Sequence, residues 1–218
     1  MKTKTLLIAA AALTAGVISS EAQVYSQNVV GYANVVIKGG GAYTLVANPF
    51  DDGNGNQLTN LLAGLPNKSQ VVTWNGSSYD GAINKGGGVW GATVPLPPGV
   101  GFFVKNGIST SPDYTNTFVG TIVAPVGSSV TNVLPAAFSL VGSQLPYAGD
   151  ATVDTNINLG TTLANKSQLI SWNTSAQVFD GAVNKGGGIW GAPFNVSVGQ
   201  GFFVNNKAGT NWSQTLNP

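Results

Sequence analysis

The sequence predicts a mainly all-β protein: two tandem β-sandwich-like modules, with a short helix in at least the first. Three observations predict it. Several blocks of the chain occur twice in the same order. Short runs of β-branched and aromatic residues recur between Gly, Pro, Asn and Asp, the pattern of half-buried strands joined by turns. Only 8% of residues are charged and there is no Cys, so the fold depends on an apolar core rather than on disulfides or ion-pair networks.

The N-terminus comes first. Lys2 and Lys4 precede an apolar stretch, Leu6 to Ile18, broken by Thr14 and Gly16, and Ser20-Glu21-Ala22 places small residues at the two positions a signal peptidase reads. This predicts a signal peptide over residues 1–22. The apolar run is too short to cross a bilayer comfortably, and no later stretch is apolar for long enough. The expected destination is therefore outside the cytoplasm (periplasm, outer surface or extracellular space), with no membrane span after cleavage.

The two copies are expected over residues 23–115 and 116–218. Asn67-Lys68-Ser69-Gln70 returns as Asn165-Lys166-Ser167-Gln168, Trp74-Asn75 as Trp172-Asn173, and Asp80-Gly81-Ala82 as Asp180-Gly181-Ala182. The block Asn84 to Ala92, with Lys85, three glycines and Trp90, returns as Asn184 to Ala192, with Lys185 and Trp190. Gly101-Phe102-Phe103-Val104 returns as Gly201-Phe202-Phe203-Val204. Tyr43-Thr44-Leu45-Val46 matches Phe138-Ser139-Leu140-Val141. Val29-Val30-Gly31-Tyr32 looks like Phe118-Val119-Gly120-Thr121, which puts the boundary near Asn116, although a strand there could instead close the first copy.

Within a copy, strands are expected over Val29–Ile37, Tyr43–Ala47, Gln70–Trp74, Phe102–Val104 and Phe118–Val123. Trp74-Asn75-Gly76-Ser77 reads as a tight hairpin, because Asn-Gly tolerates the positive φ of a two-residue turn. Extra residues at the same place in the second copy mark it as a surface loop. Leu58, Leu61, Leu62 and Leu65 have the spacing of a buried helical stripe, with Asn54 or Asn56 to cap it and Pro66 to stop it. In the second copy only Leu159 and Leu163 keep that pattern.

Together, "Tyr-Thr-Leu-Val-Ala-Asn-Pro-Phe" (Tyr43–Phe50), the Trp74-Asn75-Gly76 hairpin and "Pro-Gly-Val-Gly-Phe-Phe-Val" (Pro98–Val104) resemble a module found in many uncharacterised exported bacterial β-rich repeat proteins. The second copy departs from it: Gly142-Ser143-Gln144 stands for Ala47-Asn48-Pro49, and Val198-Gly199-Gln200 for Pro98-Gly99-Val100. The resemblance implies a β-rich module of the cell exterior and no particular activity.

Composition narrows the function. Without the leader the chain holds equal numbers of Lys and Asp, and no Arg, Glu, His, Cys or Met. Nucleic-acid binding needs clustered Lys and Arg, and anionic lipid needs a polybasic patch; neither is present. Near-zero net charge favours self-association. Lack of His and Cys removes Ser-His-Asp and Cys-His catalysis and the usual zinc sites. Asp80 and Asp180, because they recur, are the obvious candidates for a carboxylate pair that could serve a glycoside hydrolase, but they occupy equivalent places in two modules and Asp-Gly is also an ordinary turn pair.

Three further candidates stand out. Trp90 and Trp190 lie beside polar Gly-rich loops and could form sugar-binding platforms, with Asn84, Asn184, Lys85 and Lys185 supplying hydrogen bonds; the competing reading is core packing. The Asn-Lys-Gly-Gly-Gly loop could cradle an anion, but its Lys precedes the glycines and a β segment follows, unlike a phosphate loop. Asp51, Asp52 and Asn54 begin like a calcium loop but lack its later Gly and Glu, so a polar turn is the simpler reading. No cofactor is expected, with calcium a minor option. The function expected is that of an exported, non-enzymatic structural or interaction protein of the cell envelope or matrix. Its partners would be surface or matrix components, with polysaccharide binding through the loop tryptophans as the alternative.

Overall fold

The computed structural model describes residues 29–217 of the chain. The expected leader and its cleavage point lie outside the described residues. Among those residues, no helix is long and apolar enough to cross a membrane.

The protein is all-β. The first half contains β1 (Val30–Ile37), β2 (Tyr43–Ala47), a one-turn helix α1 (Leu58–Leu61), β3 (Gln70–Trp74), β4 (Tyr79–Gly86), β5 (Val89–Trp90), β6 (Gly101–Lys105) and β7 (Tyr114–Thr121). The second contains β8 (Ser129–Leu134), β9 (Phe138–Gly142), β10 (Gly149–Asp150), β11 (Gln168–Asn173), β12 (Val178–Gly186), β13 (Ile189–Trp190), β14 (Asn195–Val196), β15 (Gly201–Asn205) and β16 (Thr210–Thr215). Each half builds one five-stranded antiparallel sheet in the same order, β2-β6-β3-β4-β5 and β9-β15-β11-β12-β13. A two-stranded ribbon covers one face of each sheet: β1 with β7, and β8 with β16.

Side chains alternate across a strand, so each sheet has two faces to bury. In the first half, Val71, Ala82, Phe102 and Val104 point toward the ribbon. They meet Ala33, Ile37 and Phe118 from it, and Leu58, Leu61, Leu62 and Leu65 from the helical segment. In the second half, Leu169, Ala182, Phe202 and Val204 meet Leu134 and Trp212, with Ile157, Leu159 and Leu163 in place of the helix. Each Val, Leu, Ile or Phe among these side chains contributes about 1.5–3 kcal/mol on burial. The other face of each sheet is used differently. Leu45 and Phe103 from one half pack against Leu140 and Phe203 from the other, joining the modules sheet to sheet.

This seam has pseudo-two-fold symmetry. Val46 bridges to Gln200, and its counterpart Val141 bridges to Val100. The Ala47 N–H donates to the Gly199 carbonyl at 2.9 Å, and the Gly142 N–H to the Gly99 carbonyl at 3.1 Å. A Cβ on Gly101 would lie 2.6 Å from the Val141 carbonyl oxygen, and one on Gly201 would lie 2.5 Å from that of Val46. The glycine of each Gly-Phe-Phe-Val block is therefore required by the backbone of the opposite module.

Three expectations need correction. The boundary after residue 115 falls inside β7, which belongs to the first half because it pairs with β1 along its length. Val30-Gly31-Tyr32 and Val119-Gly120-Thr121 look alike because they are ladder partners, with Gly31 opposite Gly120, and not because they are repeat counterparts. The counterpart of β1 is β8, which pairs with the last strand. The Leu stripe is buried as expected, but α1 itself is a single turn. Neither Asn54 nor Asn56 caps it, because Gln57 holds the N-cap position without a side-chain bond. The first hairpin closes at the Trp74–Tyr79 pair with a four-residue loop, in which the Asn75 carboxamide oxygen accepts the N–H groups of Ser77 and Ser78.

Candidate functional site: an aromatic cleft between the modules

The loop tryptophans are not platforms. Trp90 is only 9% exposed and belongs to the first core, and Trp190 is half-buried against the second, its indole N–H donating to the Gly160 carbonyl at 3.1 Å. Asn84 and Asn184 are buried clamps. Their side-chain amides donate to the Leu65 and Leu163 carbonyls at 3.0 Å, and their side-chain oxygens accept the N–H of Gly86 and Gly186 at 2.8 Å. Lys68 and Lys166, at positive φ, donate their backbone N–H to the carbonyls of the same two Asn. The repeated Asn-Lys-Ser-Gln and Asn-Lys-Gly-Gly-Gly blocks are thus two halves of one turn-on-turn lock, whose buried amides leave no free donor for a sugar. Lys85 and Lys185 are exposed beside it, with their stems against Gly91 and Gly191.

The acidic loop turns inward on itself. Asp51 Oδ1 accepts from the Gly53 N–H and the Asn56 side chain, and Asp52 Oδ1 from the N–H groups of Asn54 and Asn56. Asn56 Oδ1 accepts from the Asp52 N–H and from buried Asn48. Exposed Asn54 returns its amide to the Asp52 carbonyl. Among the described residues no group of three or more His, Cys, Asp or Glu side chains could hold a metal ion. These hydrogen bonds are those of a polar turn locking the segment after β2, in which Asp52 Oδ2 is buried without a partner among the described residues.

Asp80 and Asp180 lie exposed on β4 and β12. Each carboxylate accepts the N–H of the glycine that follows, at 2.7 and 2.8 Å, and neither lines the cleft described next.

That cleft opens from the module seam. Two adjoining hollows, of about 310 and about 350 Å³, are lined by Tyr43, Val72, Tyr79, Phe103, Trp172 and Phe179, and by their counterparts across the pseudo-two-fold. Tyr79 and Phe179 line both. The rings are locked edge to face: Trp74 on Tyr79 at 5.0 Å, Trp172 on Phe179 at 4.8 Å, and Phe103 on Trp172 at 5.5 Å between centroids. Such pairs add about 0.5–1.5 kcal/mol beyond the area they bury. Each seam indole donates to the opposite module, Trp74 to the Phe138 carbonyl at 3.1 Å and Trp172 to that of Tyr43 at 2.8 Å. Tyr79 and Phe179 nonetheless stay 52% exposed at the mouth. Burial pushes the Tyr79 phenol above its ordinary value, so it is neutral throughout the physiological range.

Comparison with known proteins returned no matching family model, no matching curated protein and no matching solved structure.

Trp74, Phe102 and Phe103 recur in the sequence as Trp172, Phe202 and Phe203, but nothing in their recurrence pointed to a cleft between the copies. One signal was available. Consecutive Phe residues on a strand point to opposite faces. Phe102 and Phe202 fill the two module cores, so Phe103 and Phe203 needed a second apolar face, and that face is the seam.

Proposed function

We propose that this chain is an exported, non-enzymatic interaction protein of the cell envelope or extracellular matrix, acting by contact through the aromatic cleft. The observation that carries this reading is the pair Tyr79 and Phe179. Both rings are held rigidly at the mouth of an apolar cleft and left half open to water, which costs free energy unless a partner covers them. A rigid aromatic rim is the kind of surface that dominates binding energy at protein contacts. The leader-like N-terminus and the resemblance to exported β-rich repeat modules support the location.

The test applies labelled chain, beginning at Gln23, to isolated envelope and matrix fractions of the producing cells. Saturable retention is expected for the wild type, with at least a tenfold loss for the Tyr79→Ser/Phe179→Ser variant, as for removal of anchor residues. Equal retention of both proteins, or retention of neither, overturns the reading.

A further inference from the structure

We propose that the occupant of the cleft is a second copy of this chain, presenting the outer face of its β1–β7 ribbon. This rests on the reading of the cleft as a contact surface and names the partner.

The ribbon supplies the first reason. On its outer face Tyr32 stands directly opposite Val119, with Val30 beside them on β1. Tyr32 is 75% exposed, and Val30 and Val119 are more than half exposed. The fold does not require this apolar face. The structural twin, β8–β16, covers the position of Tyr32 and Val119 with a hydroxyl pair, Ser129 with Thr215 at 2.7 Å; one step along, both ribbons carry a polar pair, Asn34 with Thr117 at 2.7 Å and Thr131 with Ser213 at 2.8 Å. The two ribbons therefore differ at this one position, apolar in the first and hydroxyl-bearing in the second, while both expose a valine further along, Val36 and Val133.

The cleft supplies the second. It is continuous with an interface the molecule already makes, where aromatic rings of one module pack edge to face on those of a second, similar module. The cleft is a hollow lined by aromatic and aliphatic side chains, able to receive the exposed Tyr32 ring. Equal numbers of Lys and Asp beyond residue 22 leave no net repulsion between copies.

The two surfaces lie on opposite sides of the first module. The inner face of the ribbon and one face of the five-stranded sheet share a core, and the cleft is on the sheet's other face. Ribbon into cleft is then a heterologous contact that does not close on itself, so copies add head to tail. A contact made by a few side chains on each surface would be weak, so assembly is expected to depend on concentration.

Sedimentation velocity on the chain beginning at Gln23, from about 1 to about 500 µM, tests this across the range of weak contacts. Wild type is expected to grow past dimer with no plateau. A ribbon variant (Tyr32→Ser/Val119→Thr) and a cleft variant (Tyr79→Ser/Phe179→Ser) are each expected to stay monomeric. All four sites are exposed, and circular dichroism checks that both variants fold. An equimolar mixture of the two keeps one working surface on each partner, and is expected to form a 1:1 dimer and stop there. A monomeric wild type, or a ribbon variant that assembles like wild type, overturns the proposal. A monomeric wild type that envelopes still retain through Tyr79 and Phe179 removes the second copy as occupant and leaves the contact reading standing. Assembly without such retention does the reverse.

Discussion

Ala47 and Gly142 hold equivalent places in the two modules, and a Cβ on Gly142 would lie 2.1 Å from the Cβ of Ala47. The pseudo-two-fold brings them so close that only one can carry a side chain. This gives a physical reason for one departure of the second copy from the repeat motif. The two halves build sheets of the same strand order, but packing them face to face breaks the equality wherever a residue approaches its own counterpart.

Gly142→Ala is therefore expected to cost about 1–3 kcal/mol, the range for overpacking a close contact. Adding Ala47→Gly should restore much of the loss, because the two residues exchange roles across the axis. Urea midpoints of both single variants and the double variant measure the coupling, expected at about 0.5–3 kcal/mol for residues in contact. Strict additivity would mean that the seam is not packed as described.

The two loop tryptophans are expected to report on stability rather than binding. Trp90→Ala should cost about 3–5 kcal/mol, as for other large core truncations, and Trp190→Ala less. Phenylalanine separates them further. The Trp90 indole N–H is buried without a partner among the described residues, whereas that of Trp190 donates to Gly160. Trp90→Phe removes an unsatisfied donor and Trp190→Phe removes a bond, so the second should be the more damaging although its ring is the more exposed. Thermal melts of the two variants decide it, and the reverse order would argue against the placement of both indoles.

Strand identity was legible because β2 and β3 each combine β-branched residues with clear turn signals at both ends. The Leu58–Leu65 stripe was legible as buried, but its length as a helix was not. Periodicity reports which side chains face the core, and a single turn followed by irregular backbone can bury the same four leucines. The module boundary was misplaced because ladder partners in an antiparallel ribbon are under the same packing constraints. Gly31 and Gly120 therefore resemble each other as repeats would. The cleft was missed because Tyr79 and Phe179 acquire meaning only when two sheets meet, which no pattern within one module encodes.

Acid should weaken the second module through Asp150. Burial alone would raise its carboxyl, but the Thr152 hydroxyl and the N–H groups of Phe194 and Thr152 outweigh it and hold the group below its ordinary value. A folded-state pKa below the unfolded one gives stability that is present above the unfolded value, about 3.9, and is lost as pH falls through the folded value. Asp150→Asn keeps an acceptor oxygen but no charge. Its urea midpoint should trail wild type at pH 7, and the gap should narrow below about pH 4. A gap that does not change with pH would assign the loss to packing instead. Asp113, also lowered by its hydrogen bond and ion pair with Lys38, is a useful control because that pair is exposed and screened by water.

Asp80 and Asp180 are expected to guard strand edges. From residue 79 to 83, β4 pairs with β3 on one side, and β5 joins its other side only near Asn84 and Gly86; β12 repeats this arrangement. Open edges invite pairing with another chain, and charge on the edge discourages it. Here the carboxylate also occupies the N–H of Gly81 or Gly181. Those glycines cannot be replaced to blunt the edge, since a Cβ would sit 2.0 Å from the Val71 carbonyl oxygen or 2.3 Å from that of Leu169. Protection must come from the residue before them. Asp80→Ala/Asp180→Ala should leave the unfolding midpoint within about 0.5 kcal/mol of wild type, as for most surface changes. It should at the same time raise thioflavin-positive aggregation on prolonged incubation. Asn at both positions separates the two devices, because it keeps the acceptor and drops the charge. If Asn protects as well as Asp, the occupied N–H is the guard; if Asn aggregates like Ala, the charge is. Adding Tyr79→Ser/Phe179→Ser should not suppress this aggregation, because edge pairing and ribbon-into-cleft association use different surfaces. An Ala variant that aggregates no faster than wild type would show that these edges are protected by some other feature, and the recurrence of Asp80 and Asp180 would then rest on turn geometry alone.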